Sequence, residues 1–335
     1  MTGNTPVRIG ILGAAKIAPN ALVTPARENP DVVVAAVAAR DSARARAFAG
    51  KHGIATVHES YAALLADPEI DAVYNPLPNG LHGEWTRAAL AAGKHVLCEK
   101  PFTANAAEAR EIEALAADSD RVVMEAFHYR YHPLTRRIEQ IVGGGELGRL
   151  QRVDVSFCFP LPKFSDIRYD WALAGGATMD AGCYAVHMAR TFTGEEPEVV
   201  AAQAKLRGDR IDRAMRAQLR FPGGATGTLR SSMWSSDILR ISAHLVGDRG
   251  SIRVLNPLMP QYFHRFTVRD AEGRHTERFL RRSTYAFQLD AFAAAVLHGE
   301  PVETGPADSV ATMTVIDAIY AAAGLPARVP AAAVA

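Results

Sequence analysis

Short apolar runs alternate with alanine-rich segments of helical spacing through the first third of the chain, and this alternation most constrains the fold. The apolar runs cover residues 7–12, 32–38, 72–75, 95–99 and 122–126. The helical segments between them cover residues 42–50, 61–65, 83–92 and 106–116. Buried runs separated by helices predict βαβ units, in which helices cover both faces of a parallel sheet. We therefore expect a doubly wound α/β domain over residues 1–124.

The pattern changes after about residue 148, where strand-like runs follow one another directly. These runs cover residues 151–159, 198–206, 214–221, 225–233 and 238–246. Turn sequences, Pro222-Gly223-Gly224 and Gly247-Asp248-Arg249-Gly250, separate neighbouring runs. The pattern predicts an α+β domain over residues 125–335, built on a large, mostly antiparallel sheet with one open face. We expect that face to join subunits into a homodimer or homotetramer.

Two helical segments, at residues 285–297 and 308–322, follow the strand-rich region. The second of them is expected to pack back on the first domain.

Composition excludes several classes of function. The 37 cationic and 36 acidic side chains give a net charge of +1, so nucleic acid is not an expected partner. Three cysteines, Cys98, Cys158 and Cys183, show no paired spacing, which argues for a reducing compartment without disulfides or a zinc cluster. Residues 1–6 are polar, and no apolar run is long enough to span a bilayer. We expect a cytoplasmic protein with no membrane partner.

A turn of small residues follows the first apolar run directly. It reads Gly13, Ala14, Ala15, Lys16 and Ile17. In a dinucleotide site the first glycine allows the tight turn, and helix N–H groups face the pyrophosphate. Ala15 stands where the second glycine normally lets the backbone approach phosphate, so a packing turn is the alternative. The strand–turn–helix context favours a nucleotide.

The second apolar run ends at Arg40, with Arg44 one helical turn further on. NAD-binding proteins usually place an acid at this position, to bond the ribose 2′-hydroxyl. Two guanidinium groups suit a 2′-phosphate instead. We therefore expect NADP as the cofactor. NAD is the second choice, because Asp41 could bind a ribose and both arginines could be ordinary surface residues.

Lys100 follows the apolar run 95–99 and precedes Pro101. Open α/β sheets bind ligands at the carboxyl ends of their strands, where this lysine is expected to lie. An ammonium can present a point charge to a reacting oxygen and can lose its proton. A strand-end lysine in a surface ion pair is the alternative.

A third motif begins at Gly175-Gly176 and includes Asp180, Tyr184 and His187. If the segment is helical from about Thr178, these three side chains share one face. An acid, a phenol and an imidazole on one stripe could move a proton to or from a hydroxyl group. The alternative is a polar seam that satisfies its own hydrogen bonds. The glycine pair favours a close backbone approach.

Two segments are predicted as pocket walls for a polyhydroxylated substrate. The first contributes Phe127, His128 and Arg130, and the second contributes Arg168 and Trp171. His187 of the third motif is expected to line the same pocket. The pair His128 and His132 lacks a third ligand nearby, so no metal site is expected. An ordered surface loop is the alternative for the second segment.

Taken together, these motifs resemble the glucose–fructose oxidoreductase/inositol dehydrogenase family, known as Gfo/Idh/MocA. The resemblance covers nearly the whole chain. It rests on the glycine turn, on 75–79 followed by His82, on 91–96 leading into 99–101, and on Gly175-Gly176 followed by Asp180 and Tyr184. It implies a Rossmann domain followed by the α+β domain. Tyr184 stands where inositol dehydrogenases place histidine, so the chain looks closest to the dihydrodiol dehydrogenases, aldose dehydrogenases and sugar ketoreductases.

The resemblance implies roles for individual residues. Lys100 would bond the reacting oxygen, Tyr184 would donate or accept the proton, and Asp180 would orient the substrate. Lys100 would also lower the pKa of Tyr184 by proximity, with His187 as the second choice for proton transfer. Six further residues match positions along the nicotinamide half of the cofactor cleft: Asn75, Pro76, Leu77, Asn79, His82 and Glu99. Arg168 matches an arginine that reaches the cofactor or substrate.

The predicted function is hydride transfer between nicotinamide C4 and a carbinol or ketone carbon of a sugar, polyol or trans-dihydrodiol. Two alternatives share this fold: an NADP-binding sensor that does not react its cofactor, and a glycosidase that recycles bound NAD. The joint presence of Lys100, Asp180 and Tyr184 favours the dehydrogenase, because a sensor needs none of them.

Overall fold

The computed structural model describes residues 5–331, and its first part is built on a six-stranded parallel sheet. The strands are β1 (Val7–Leu12), β2 (Val32–Ala38), β3 (Thr56–His58), β4 (Ala72–Asn75), β5 (His95–Cys98) and β6 (Val123–Glu125). Their order in the sheet is β3-β2-β1-β4-β5-β6. This is the predicted doubly wound fold, with one short strand, β3, that the sequence pattern did not indicate.

Helices cover both faces of this sheet. The first five are α1 (Thr24–Ala26), which extends a π-helical turn at Pro19–Val23, α2 (Ser42–His52), α3 (Tyr61–Ala66), α4 (His82–Ala91) and α5 (Ala106–Ala117). Alternate side chains of β1 point to opposite faces: Ile9 and Ile11 join one buried cluster and Leu12 joins the other. Gly10 lies on the face of Leu12, and a Cβ there would come within 2.6 Å of Leu64 Cδ2. The glycine inside β1 therefore admits α3 to the sheet.

The second part is built on an eight-stranded sheet. Its strands are β7 (Leu150–Cys158), β8 (Glu198–Arg207), β9 (Ile211–Arg220), β10 (Thr226–Ser232), β11 (Arg240–Gly247), β12 (Ser251–Leu255), β13 (Arg265–Asp270) and β14 (Gly273–Glu277). Their order is β14-β13-β12-β11-β7-β10-β9-β8, and only the pair β7–β10 is parallel. The mostly antiparallel sheet is confirmed. The sequence pattern missed β12, β13 and β14.

One face of the large sheet is covered and the other is open. The remaining helices are α6 (Pro133–Gly143), α7 (Cys183–Thr193), α8 (Thr284–His298) and α9 (Pro306–Ala322). Along β12, Ile252 and Val254 are buried, whereas Arg253 and Leu255 are exposed. Helices α7 and α9 contact strands of this sheet, so they cover its buried face. The use of the open face for oligomerisation stays a prediction.

The last two helices connect the two halves of the chain. On α9, Asp317 accepts a hydrogen bond from the backbone N–H of Ala106, where α5 begins, at 2.9 Å. Helix α8 carries Leu289 and Phe292 into the same cluster as Ile9 and Ile11 of β1. The first domain is therefore completed by α8, which lies more than 150 residues later in the sequence. The boundary at residues 124/125 stays a prediction.

A search of the helices over residues 5–331 finds none with both the length and the hydrophobicity required to cross a membrane.

Replacing Phe292 with alanine is expected to destabilise the whole first domain. Phe292 is fully buried against the central strand. A cavity of this kind lowers the free energy of unfolding by about 3–5 kcal/mol. Leu115→Ala is the control, since Leu115 on α5 is 40% exposed, and it should change stability by less than about 1 kcal/mol. Urea denaturation measures both; equal losses would mean that α8 does not belong to the core of the first domain.

Candidate active site

A cleft of about 940 Å³ opens at the carboxyl ends of the parallel strands. Its lining comes from residues 13–17 after β1, 39–41 after β2, 76–79 after β4 and 99–100 after β5. The opposite wall comes from Lys163, from residues 165–168, from the segment that precedes α7 and from Tyr184 on α7. A pocket at this edge of an open α/β sheet is the usual position of a bound dinucleotide.

Most of the predicted site residues line this one cleft. They are Gly13, Ala14, Ala15, Lys16, Ile17, Arg40, Arg44, Pro76, Leu77, Asn79, His82, Glu99, Lys100, Arg168, Asp180 and Tyr184.

The turn after β1 adopts the backbone conformation that the glycine permits. Gly13 has φ +99°, and a Cβ there would lie 3.1 Å from Leu77 Cδ2. The backbone N–H of Gly13 donates to Ala38 O at the end of β2, at 2.7 Å. An alanine at residue 13 would combine an unfavourable φ with a crowded neighbour. The turn thus lies flat against the sheet edge and exposes Lys16 and Ile17 to the cleft.

Two arginines flank the cleft beyond β2. Arg40 is exposed, and Arg44 Nη2 donates to Ala14 O at 2.8 Å, which holds the glycine turn. Asp41 Oδ1 accepts from the backbone N–H groups of Ala43 and Arg44, at 2.9 and 3.1 Å. The carboxylate at this strand end therefore caps α2. This end of the cleft therefore presents the cations Arg40 and Arg44. Asp41, the one acid among the lining residues 39–44, is used as the cap.

Buried hydrogen bonds of Asn75 and His82 support the loop after β4. Asn75 is fully buried and donates to His82 O at 3.1 Å, so it supports the wall of the cleft without lining it. The two ring nitrogens of His82 lie 2.7 Å from the carbonyl oxygens of Leu77 and Pro101. Burial lowers the pKa of His82 to about 4, although the hydrogen bonds to the two carbonyl oxygens act in the opposite direction. His82 therefore ties the β4 loop to the residues that follow Lys100.

Lys100 and Asp180 meet where the two domains face each other. Lys100 Nζ donates to the backbone oxygen of Asp180 at 3.2 Å and lies 5.1 Å from the ring centroid of Tyr184. Arg168 Nε lies 3.5 Å from Asp180 Oδ1. Asp180 Oδ2 is buried and has no hydrogen-bond partner within residues 5–331. A buried carboxylate oxygen of this kind is a ready acceptor for a substrate hydroxyl.

Burial determines the protonation of both acids in this cluster. It raises the pKa of Asp180 to about 6, although Lys100 and Arg168 act in the opposite direction. Burial also raises the pKa of Tyr184 well above its usual value. The expectation that Lys100 lowers the pKa of Tyr184 is therefore wrong in this structure, because the ammonium lies over the ring and desolvation is the larger effect.

Asp180 and Tyr184 share the cleft, but His187 does not. A π-helical turn, Thr178–Gly182, precedes α7 and carries Asp180. His187 is 1% exposed, with Nε2 2.8 Å from Asp308 and Nδ1 in a hydrogen bond with the hydroxyl of Tyr129. These partners hold the imidazole on the interior side of α7. The prediction that His187 lines the pocket is therefore corrected, because His187 is a core residue. It is also no longer a candidate for proton transfer to the substrate.

Four other predicted wall residues also lie outside the lining of the cleft. Phe127 is fully buried and stacks on His187 at 3.9 Å. His128 is buried and bonds Thr284 Oγ1 at 2.8 Å. Arg130 forms ion pairs with Glu139 and Glu303.

Trp171 is the fourth, and its ring packs under the guanidinium of Arg328, 4.6 Å away. Contacts with other parts of the protein hold each of these side chains outside the cleft, which corrects their assignment as substrate contacts. His132, the possible metal partner of His128, instead caps α6 through the backbone N–H of Leu134. No group of three metal-binding side chains occurs in the part of the chain that the structure describes.

Several lining residues were missed by the sequence analysis. Tyr285 reaches the cleft from α8, Tyr61 from α3, and Lys163 from the loop after β7. Ala331 contacts it from the far end of the chain. Nothing in the sequence pattern marks them, because each comes from an element whose position is decided by long-range packing.

Comparison with known proteins agrees with this geometry. Residues 7–127 match the family model described as "Oxidoreductase family, NAD-binding Rossmann fold", and residues 135–253 match the GFO/IDH/MocA C-terminal domain. The chain belongs to the GFO/IDH/MocA oxidoreductase family. The resemblance inferred from the motifs is confirmed.

Individual relatives extend along nearly the whole chain. D-xylose 1-dehydrogenase (NADP(+)) 2 of Haloferax volcanii is 41% identical over 94% of this chain and 96% of that protein. A dTDP-3,4-didehydro-2,6-dideoxy-alpha-D-glucose 3-reductase of Actinomadura kijaniata is 32% identical over 94% and 95%. The crystal structure of a 3-ketoreductase from Actinomadura kijaniata, with NADP and TDP-benzene, superimposes with a TM-score of 0.88 at 30% identity, over 95% of this chain and 98% of that one.

Asp180→Asn should change how stability depends on pH. The folded-state pKa of Asp180, about 6, lies above the usual value of 3.8. The folded state therefore binds the proton more tightly, and this contribution to stability is lost as the pH rises from about 4 to 6. Two pKa units correspond to about 3 kcal/mol. The free energy of unfolding of Asp180→Asn minus that of the wild type should rise by up to about this amount between pH 4 and pH 7.

Urea denaturation at several pH values measures the difference. Asp118→Asn, at an exposed position, is the control. A difference between Asp180→Asn and the wild type that is independent of pH would show that Asp180 titrates as an ordinary surface carboxylate.

Proposed function

We propose that this chain is an NADP-dependent sugar dehydrogenase that moves a hydride between nicotinamide C4 and a carbinol or carbonyl carbon of an aldose. One observation carries the proposal: a single cleft joins an arginine-flanked turn at one end to Lys100, Asp180 and Tyr184 at the other. The first end suits a dinucleotide phosphate, and the second suits the oxygen that changes between hydroxyl and carbonyl.

The described residues fit NADP. Gly13, at φ +99°, forms the tight turn that a pyrophosphate needs. Arg40 and Arg44 face the cleft where a 2′-phosphate would lie, and Asp41 caps α2. Ala15, in place of the second glycine, still lines the cleft. When bound, the cofactor accepts or supplies a hydride at C4 of its nicotinamide ring.

Three side chains of this chain then handle the oxygen and its proton. Lys100 carries the positive charge that stabilises a developing alkoxide. Tyr184, whose pKa burial keeps high, holds its proton and is suited to deliver it to a carbonyl oxygen during reduction. Oxidation uses the same atoms in reverse. Asp180 Oδ2 accepts a bond from a neighbouring hydroxyl and so orients the sugar.

The substrate class is supported by the polar character of the reacting end and by the relatives. Asp166, Arg168 and Lys163 extend the polar wall beyond Asp180, which suits a ligand with several hydroxyl groups. The full-length relative at 41% identity is a D-xylose 1-dehydrogenase. We therefore place D-xylose and related aldoses first.

A nucleotide-linked keto sugar is the second candidate. A protonated Tyr184 can supply the proton for reduction of a ketone, and a 3-ketoreductase superimposes on nearly the whole chain. The cytoplasmic location and the homo-oligomer remain part of the proposal. A non-catalytic sensor and a cofactor-recycling glycosidase would both bind NADP without net turnover.

Lys100→Met should strongly reduce turnover and leave cofactor binding intact. Removing a charge that stabilises the reacting oxygen costs roughly a factor of 10²–10⁴ in kcat. We measure kcat from the change in nicotinamide absorbance, with NADP⁺ or NAD⁺ and a panel of aldoses, polyols and trans-dihydrodiols. The same assay, run with NADPH and nucleotide-linked keto sugars, tests the second candidate. NADPH fluorescence measures binding.

The matched control is Lys51→Met, an exposed lysine on α2. Full activity in Lys100→Met would remove the role assigned to this ammonium. Tight NADPH binding by the wild type without turnover of any substrate would favour the sensor or the glycosidase.

Arg40→Ala should reduce the preference for NADP⁺ over NAD⁺. A charge-assisted hydrogen bond to phosphate contributes about 1.5–3 kcal/mol, so the ratio of kcat/KM for the two cofactors should fall roughly 10- to 100-fold. Arg46→Ala is the control, because Arg46 is an exposed arginine on the neighbouring helix α2. An unchanged ratio in Arg40→Ala would contradict the assignment of the 2′-phosphate site.

A further inference from the structure

The segment after α9, residues 325–331, contains one charged side chain, and that side chain is completely buried. Arg328 is 0% exposed in a stretch that otherwise holds leucine, valine, alanine and proline. Burying an arginine is costly unless its charge is paired and its N–H groups find acceptors. The residues that bond Arg328 therefore indicate its structural role.

The guanidinium of Arg328 has three acceptors and two aromatic neighbours. Nη2 donates to Asp212 Oδ1 at 2.6 Å, and Nε donates to Gly175 O at 2.7 Å. The longest of the three hydrogen bonds stays within the segment, where Nη1 donates to Pro326 O at 3.4 Å. The group also lies 4.1 Å from the ring centroid of Tyr320 and 4.6 Å from that of Trp171. The planar fork of arginine makes these contacts at the same time, which a lysine ammonium could not do.

Asp212 extends the network to the turn that carries Asp180. Its Oδ2 accepts hydrogen bonds from the backbone N–H and the hydroxyl of Thr178, both at 2.7 Å. Its Oδ1 also accepts from the hydroxyl of Tyr320 at 3.1 Å. Asp212 and Thr178 are both buried. The buried ion pair therefore holds the first residue of the π-turn two positions before Asp180.

The glycine pair explains why the backbone fits over this network. Gly176 has φ +139°, and a Cβ there would lie 2.2 Å from Asp212 Oδ1 and 2.7 Å from Arg328 Nη2. A Cβ at Gly175 would lie 2.5 Å from Arg168 O. The close approach expected from the sequence is thus made to the protein's own ion pair and to the loop of Arg168.

The backbone of the same segment bonds to the other domain. Asn105 Nδ2, at the start of α5, donates to Arg328 O at 2.8 Å. The backbone N–H of Ala331 donates to Gly80 O, in the loop after β4, at 2.8 Å. The segment thus joins the nucleotide-binding domain through its backbone and the catalytic turn through the side chain of Arg328.

We propose that Arg328 is a positioning residue of the active site, which sets the place of Asp180 and Tyr184 relative to Lys100 across the cleft. The inference rests on the proposed function. Lys100 bonds the backbone of Asp180, so a displacement of the turn moves both groups that face the reacting oxygen. A misplacement of about 1 Å can lower the rate roughly 100-fold.

Two variants test the proposal without leaving a buried charge unpaired. Arg328→Lys keeps the charge and loses the fork. The double variant Arg328→Met with Asp212→Asn removes both charges, so the segment can stay buried. Val329→Ala is the matched control, because Val329 neighbours Arg328 and its side chain is 51% exposed.

Three measurements are made on each variant: kcat, the Kd of NADPH by fluorescence, and amide hydrogen exchange over residues 173–184. In both Arg328 variants we expect at least tenfold faster exchange of the amides at 176–182 and at least a tenfold lower kcat. The Kd of NADPH should stay within threefold, because Gly13 and Arg40 lie on the other side of the cleft. Val329→Ala should match the wild type in all three.

Two results would overturn the proposal. Unchanged exchange in either folded variant would show that Arg328 does not order the turn. Faster exchange with an unchanged kcat would leave Arg328 with a purely structural role. If the wild type turns over no substrate, the proposed function fails instead, and the exchange data alone decide whether Arg328 holds the turn.

Discussion

Lys100 and Asp180 touch across the boundary between two domains that fold by different rules, and the site depends on this contact. Lys100 follows the parallel strand β5, which ends at Cys98. Asp180 comes from a π-turn that is packed against the mostly antiparallel sheet. Their contact, 3.2 Å from Nζ to the backbone oxygen of Asp180, requires both domains to be correctly placed. His82 holds the loops on the Lys100 side through its two hydrogen bonds. Asp212 holds the turn of Asp180 through Thr178.

Burial dominates the electrostatics of the reacting end. Asp180 keeps a raised pKa although two cations lie near it, and Tyr184 keeps its proton although Lys100 lies over its ring. Each charge is more costly in the interior than the neighbouring cations can offset. The proposed reaction transfers a hydride at a carbon and a proton at the oxygen bonded to it. Such burial suits this reaction, because Tyr184 keeps its proton until a substrate oxygen arrives.

Sequence motifs correctly predicted that residues following the parallel strands line the cleft. They failed to predict the positions of residues whose neighbours in space are distant in the sequence. Gly13, Arg40 and Lys100 line the cleft because each lies within two residues of the end of a parallel strand, and the carboxyl ends of those strands share one edge. Helical periodicity put His187 beside Tyr184, but Asp308 and Tyr129, far away in sequence, hold it in the core. Trp171 was likewise removed from the pocket, by Arg328.

The sequence by itself determined the two domains, the sheet types and the order of the motifs along the cleft, because periodicity and turn residues act locally. Only the tertiary structure decided which side chains reach the site from distant elements. Tyr285 arrives on a helix that completes the first domain, and Ala331 arrives on a segment anchored by a fully buried arginine. Such placements depend on the burial of apolar surface and on the pairing of buried charges between segments, which no local pattern records.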